Sequence, residues 1–193
     1  VATSAFRDTS NSEDARRYIE TAINHPLRVI SGLEEAQLIR FHPKSNTGKK
    51  KIFVDLGGGS TEFFLRDSKG IEIRSFQLGA VRNMLNKDKK AEWIRLEKWL
   101  ETIKPRKKLI GIGGNIRSFL ESQNKKELSA KELNKKMKEF STLSTQEKIL
   151  KYQFSPDRAD VIDHALNIFN FISEHLMIET ITSTKWGISD SIG

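Results

Sequence analysis

The stretch Lys51-Ile-Phe-Val-Asp-Leu-Gly-Gly-Gly-Ser-Thr-Glu-Phe-Phe-Leu65 constrains this chain more than any other. Ile52, Phe53 and Val54 form a short apolar run of strand formers that ends on Asp55. Gly57, Gly58 and Gly59 let the backbone turn tightly, and Phe63-Phe64-Leu65 reads as a second strand after Ser60, Thr61 and Glu62. Bare glycines let backbone N–H groups approach an anion, while Asp55 and Glu62 can hold a metal or a water. The same residues also make a plain β-hairpin with a polar tip. On this stretch alone both readings stand.

The 193 residues are enough for one large or two small domains with a real core. With no cysteine, disulfides, thiolate metal sites and a cysteine nucleophile are excluded, which fits a reducing compartment. No apolar run approaches the roughly 18 residues needed to cross a bilayer, and the N-terminus carries no secretory signal. The expected setting is therefore the cytoplasm, with no membrane partner. Lys plus Arg outnumber Asp plus Glu by 33 to 25, a net charge of +8. The excess clusters at Lys49–Lys51, Lys87–Lys90, Lys104–Lys108 and Lys125–Lys138. Such clusters attract polyanions, and they also simply solvate helix faces. No helix-turn-helix, zinc-finger or aromatic-studded strand pattern accompanies them, so no specific nucleic-acid partner is expected.

In chain order, Ser10 to Ser12 can cap a helix that runs to about Asn24, before Pro26. Leu27 to Ile30 reads as a short strand. Ser31-Gly32-Leu33-Glu34-Glu35-Ala36 turns into a helix whose first-turn carboxylates complement its dipole. Residues 42–50 form a polar connection between two lobes. Ile71 to Leu78 is a third strand, and Ala91 to Ile103 is a helix with apolar residues at helical spacing. Leu109 to Asn115 is a strand entering a glycine turn, a second candidate anion site. Lysine-rich Ala130–Phe140, a helix after Ser144, and the long helix from Pro156 to Leu176 follow, then a strand over Ile178–Thr182. The chain begins Val1-Ala2-Thr3-Ser4, as if inside a strand-to-loop unit, and is expected to be a piece of a longer protein.

Four blocks in order resemble the exopolyphosphatase / guanosine pentaphosphate phosphatase (Ppx/GppA) family. They are Val1-Ala2-Thr3-Ser4-Ala5-Phe6-Arg7, Val29 to Ala36, Val54 to Glu62, and Gly111-Ile112-Gly113-Gly114. Leu78-Gly79-Ala80-Val81-Arg82 and Arg158-Ala159-Asp160-Val161-Ile162 match more weakly. The resemblance implies an α/β fold of the ribonuclease-H-like, actin-like ATPase superfamily, with a mixed sheet, flanking helices and a phosphate cleft between two lobes. Residues 1–41 would then be the C-terminal part of the first lobe, 42–50 a linker, 51–182 the second lobe, and 183–193 a return segment.

The activity this implies is hydrolysis of a terminal phosphoanhydride, in inorganic polyphosphate or in the stringent-response nucleotide guanosine pentaphosphate. The resemblance assigns Glu35 to water activation and Asp55 and Glu62 to Mg²⁺. It gives phosphate contacts to Gly57, Gly58, Gly59, Ser60 and Thr61, and substrate contacts to Gly113, Gly114 and Asn115, where the family usually has threonine at the last position. Arg7 and Arg158 are expected anion contacts because an arginine fork suits phosphate oxygens. Adjacent helix residues point in different directions, so from the residues alone either Glu34 or Glu35 could face the cleft, but not both. A homodimer is expected by resemblance. The alternative is a non-catalytic nucleotide or polyanion sensor on the same fold. Two departures stand out: the family's Asp-x-Gly-Ser-Asn-Ser phosphate loop is absent, and Gly187-Ile188-Ser189-Asp190-Ser191 replaces the family's Gly-Leu-Arg-Glu-Gly. The polypeptide as it stands is therefore expected to bind phosphates weakly and to hydrolyse little.

Overall fold

Side chains alternate across a strand, so two faces of one sheet can carry different chemistry. That alternation organises the computed structural model, which describes residues 1–7, 9–48 and 50–191, with Ala5 by its backbone only. Lys49 of the first lysine cluster, and Ile192 and Gly193 of the expected return segment, lie outside the described residues.

The chain runs through α1 (Ser4–Arg7), α2 (Ser12–Ile23), α3 (Gly32–Leu38) and a 3₁₀ turn, Ile39–Phe41. Then come β1 (Lys51–Leu56), β2 (Thr61–Asp67), β3 (Gly70–Phe76), α4 (Ala80–Met84), α5 (Lys90–Glu101), β4 (Lys108–Ile112) and α6 (Gly114–Ser122). The rest is β5 (Glu127–Ser129), α7 (Ala130–Phe140), α8 (Thr145–Tyr152), α9 (Pro156–His175), β6 (Thr180–Ser183) and a last 3₁₀ turn, Ile188–Ser191. The strands lie in one mixed sheet, ordered β3-β2-β1-β4-β6-β5. Strands β1, β4 and β6 run parallel, and β2, β3 and β5 pair antiparallel to their neighbours. This is the expected fold class.

One face of the sheet holds the main core. Ile52, Val54 and Leu56 from β1, with Phe63 and Leu65 from β2, pack against apolar residues of α5, α6, α7 and α9. Long α9, started by Pro156 at its first turn, buries Ile162, Leu166, Phe169 and Ile172 there. Each such side chain contributes about 1.5–3 kcal/mol by leaving water. The other face holds a smaller cluster of Phe53, Phe64, Ile110 and Ile112 with Ile39, Ile73 and Trp186. Its outer wall is α3, which packs on β2 and β3. His42 closes one end, its Nε2 3.1 Å from Thr184 Oγ1 and its ring against Phe53 and Trp186.

Two local expectations differ from the structure. Leu27–Ile30 contributes a single bridge between Val29 and Ala2, too little pairing for a strand. Strand β5 was not expected, because its three residues have one buried apolar side chain, Leu128, to mark them.

Candidate active site

Strand register builds a polar row at one end of the smaller face. Asp55 lies opposite Glu62 across β1 and β2, and Glu62 lies opposite Ser75 across β2 and β3. Directly opposed residues share a face, so these three lie one alternation beyond Phe53, Phe64 and Ile73 on their own strands. The face thus changes from aromatic and aliphatic to acidic within one step of two residues. Glu62 is 2% exposed, and Ser75 Oγ donates to its Oε1 at 2.8 Å.

Helix α3 adds the third carboxylate and decides between its two glutamates. Ser31 and Glu34 form a capping box, and Glu34, half-buried, also pairs with Arg28. Glu35 is buried and faces a cavity of about 530 Å³ that Asp55 and Glu62 also line. Arg7 Nη1 lies 3.5 Å from Glu35 Oε2 and also donates to Ile30 O, so Arg7 is tied to the base of Glu35.

The glycine turn between β1 and β2 lines the same cavity. Ala80 N–H donates to Gly57 O (3.0 Å), Arg82 N–H to Gly58 O (2.9 Å) and Arg82 Nε to Gly59 O (2.9 Å). A trans peptide points its N–H away from its C=O. Binding three successive carbonyls to α4 and Arg82 therefore turns the N–H groups of Gly58, Gly59 and Ser60 the other way. None of the three is used in a hydrogen bond among the described residues, and all three residues line the cavity. Successive free N–H groups of this kind suit an anion.

The electrostatics follow from burial. Asp55 is pushed up to about 7 by desolvation and by the Glu35 charge. Glu62 is pushed up to about 8 by desolvation and by Glu35 and Asp55, against hydrogen bonds from Ser60 and Ser75. Glu35 is also raised by burial, partly offset by Arg7 and by a hydrogen bond from Thr3. No cation pairs with Asp55 or Glu62 among the described residues. Two uncompensated carboxylates fit a hard divalent cation such as Mg²⁺, which takes one or two carboxylates and completes its shell with phosphate and water. Among the described residues no group of three or more Asp, Glu or His side chains is placed to hold a metal ion, so the donors offered here are the two carboxylates of Asp55 and Glu62.

The cavity gathers Glu35, Asp55, Gly57, Gly58, Gly59, Ser60 and Glu62. It does not gather the other expected contacts. Thr61 alternates to the core face, is fully buried, and donates to Leu78 O at 2.6 Å. Asn115 is buried at the start of α6, where its Nδ2 donates to Leu56 O at 2.8 Å and its Oδ1 accepts from Arg158 Nη1. Gly113 lies beside the Asp55 carboxylate, a Cβ there standing 3.2 Å from Asp55 Oδ1, and Gly114 lies against the Arg158 guanidinium. Arg158 lines a separate cleft with Ser118, Ser122 and Ser155. Thr3, Ser4, Thr9, Val81, Arg82, Leu85 and Lys87 line the cavity without having been singled out as site residues. The Leu78–Arg82 block and the hydroxyl run near the N-terminus were the signals available for them.

A match to the Ppx/GppA phosphatase family spans residues 1–192. The fold is similar to that of the Ppx/GppA family member of Aquifex aeolicus, with 24% identity and a TM-score of 0.75 over 99% of this chain and 71% of that one. It is also similar to an exopolyphosphatase from Cytophaga hutchinsonii, with 21% identity and a TM-score of 0.81 over 98% of this chain and 71% of that one. No described helix is long and apolar enough to cross a membrane.

Proposed function

Because this chain belongs to the Ppx/GppA phosphatase family, we propose that its cavity is a phosphohydrolase site releasing terminal phosphate from inorganic polyphosphate or guanosine pentaphosphate. One observation carries this: the turn residues Gly58, Gly59 and Ser60, whose N–H groups make no hydrogen bond among the described residues, line a single cavity together with buried Glu35 and Glu62 and half-buried Asp55. The N–H groups of Gly58, Gly59 and Ser60 hold the terminal phosphate. Asp55 and Glu62 hold Mg²⁺, which when bound supplies charge neutralisation on the phosphates. Glu35 accepts the proton of a water as its oxygen bonds to the terminal phosphorus, and the bridging P–O bond breaks to leave the shortened chain. Burial suits Glu35 to this task by raising its basicity, and Arg7 holds its carboxylate in place. In this reading residues 51–182 form one lobe, and residues 1–41 and 183–193 belong to the other.

The test is phosphate release from long-chain polyphosphate and from guanosine pentaphosphate, with Mg²⁺, by the full-length protein and its Glu35→Gln variant. A loss of roughly 10²–10⁴-fold with substrate binding retained is expected. Unchanged turnover removes Glu35 from the reaction. Phosphate-ligand binding without turnover in the wild type favours a sensor instead.

A further inference from the structure

We propose that Ser75 is a positioning residue that fixes Glu62 relative to Glu35, through a seat that only glycine at position 32 allows. Ser75 ends the row Asp55–Glu62–Ser75 and donates to Glu62 Oε1 at 2.8 Å. The first turn of α3 rests directly on that hydrogen bond. A Cβ at Gly32 would stand 2.0 Å from Ser75 Oγ, 2.9 Å from Ser75 Cβ and 3.0 Å from Glu62 Oε1. Gly32 is not in the left-handed region, so space rather than backbone conformation demands the glycine.

Three residues further along the same helix is Glu35, on the same side as Gly32. The helix that carries the water-facing carboxylate is therefore seated, through Ser75, on the carboxylate assigned to the cation. A side chain at position 32 would push the hydroxyl off Glu62, lift α3, or both. Without the hydroxyl, Glu62 keeps only the side-chain hydrogen bond from Ser60, and the link that sets its spacing from Glu35 is lost. This inference rests on the reading of Asp55 and Glu62 as cation ligands.

The experiment is a Mg²⁺ titration of the full-length protein without substrate, read as the Mg²⁺ concentration giving half of the thermal shift. Ser75→Ala is expected to raise that concentration about 10–100-fold, as loss of a ligand-orienting partner does. Gly32→Ala, which keeps the hydroxyl but displaces it, is expected to act in the same direction and to lower the melting temperature in EDTA as well. A wild type that responds to Mg²⁺ while both variants respond at the same concentration overturns the role of Ser75 and leaves the site reading intact. A wild type with no response overturns the cation reading, and the inference falls with it. Should Ser75→Ala fail to fold, Gly32→Ala alone decides: unchanged Mg²⁺ dependence refutes the seat.

Discussion

Gly79 tests how α4 orients the glycine turn. Its backbone is extended, at φ −153° and ψ 161°, a conformation alanine adopts without strain. The cost of Gly79→Ala is therefore steric. The new Cβ would stand 2.4 Å from Gly58 O, 2.5 Å from Gly58 C and 2.6 Å from Gly59 C. All three are main-chain atoms, so no rotamer change relieves the clash, and the turn and α4 must separate. Overpacking of this kind costs about 1–3 kcal/mol. Loosening the bonds from Ala80 and Arg82 to the glycine carbonyls adds about 0.5–1.5 kcal/mol for each one lost. With one such bond lost the sum is about 1.5–4.5 kcal/mol, which lowers the melting temperature by roughly 3–18 °C for a chain of this length.

Gly57→Ala is the control. Its Cβ would meet nothing nearer than Ser60 O at 3.5 Å, an ordinary contact, and a cost within about 1 kcal/mol is expected. Both variants and the wild type are compared by urea unfolding with the slope monitored, since an unchanged slope assigns the midpoint shift to stability. The separated turn also loses the common direction of its N–H groups. Thermal protection by tripolyphosphate should then fall in Gly79→Ala and persist in Gly57→Ala. A cost below about 1 kcal/mol for Gly79→Ala, or equal costs for the two variants, refutes the reasoning.

Three further outcomes follow from the same geometry. Asp55 at about 7 and Glu62 at about 8 keep their protons in the folded chain where the unfolded chain has lost them. Their stabilising linkage is complete below about pH 4 and is lost as pH rises through 7 to 8. His42, held down to about 4 by burial, opposes this trend only between about 4 and 6.5. The melting temperature should therefore fall from pH 6.5 to 8.5 in EDTA, with Mg²⁺ restoring more at the alkaline end; a rising profile contradicts the carboxylate burial. Asn115→Ala leaves buried Leu56 O without its donor and Arg158 without its acceptor, and should cost about 1–3 kcal/mol by chemical denaturation. Glu34→Ala removes one half of the capping box and should lower the melting temperature slightly with phosphate release unchanged, in contrast to Glu35→Gln.

What could be read from the residues alone was local. Apolar runs and glycine turns marked β1, β2 and β4, and Pro156 with its apolar periodicity marked α9, because each signal lies within one element. Glu34 and Glu35 could not be separated without the resemblance, since the choice depends on which flank of α3 meets the sheet. Thr61 shows the same dependence. Beside Ser60 and Glu62 in sequence it reads as a phosphate contact, yet alternation from Glu62 sends it to the core face. Ser75 carried no signal at all, because its role arises only when β3 pairs in register with β2. Long-range register is what the residues left open, and register is what assembles the site.

That dependence explains where the acidic row can exist. The small-face cluster ends at Phe53, Phe64 and Ile73, and the next residues in the same alternation are Asp55, Glu62 and Ser75. Ionising Asp55 or Glu62, pushed up to about 7 and about 8, costs on the order of 4 kcal/mol each relative to water. The strand ends therefore carry a standing destabilisation near neutral pH that the sheet behind them must offset. The fully buried Phe53, Phe63 and Phe64 lie immediately behind it on β1 and β2, and they supply burial of the same order. A divalent cation with a phosphate on the turn N–H groups would remove the repulsion and fill the cavity together. Neither ligand alone does both, since phosphate without the cation adds charge beside three carboxylates. Cation and phosphate should thus bind with positive coupling, a consequence of lining one cavity with three carboxylates and the glycine turn.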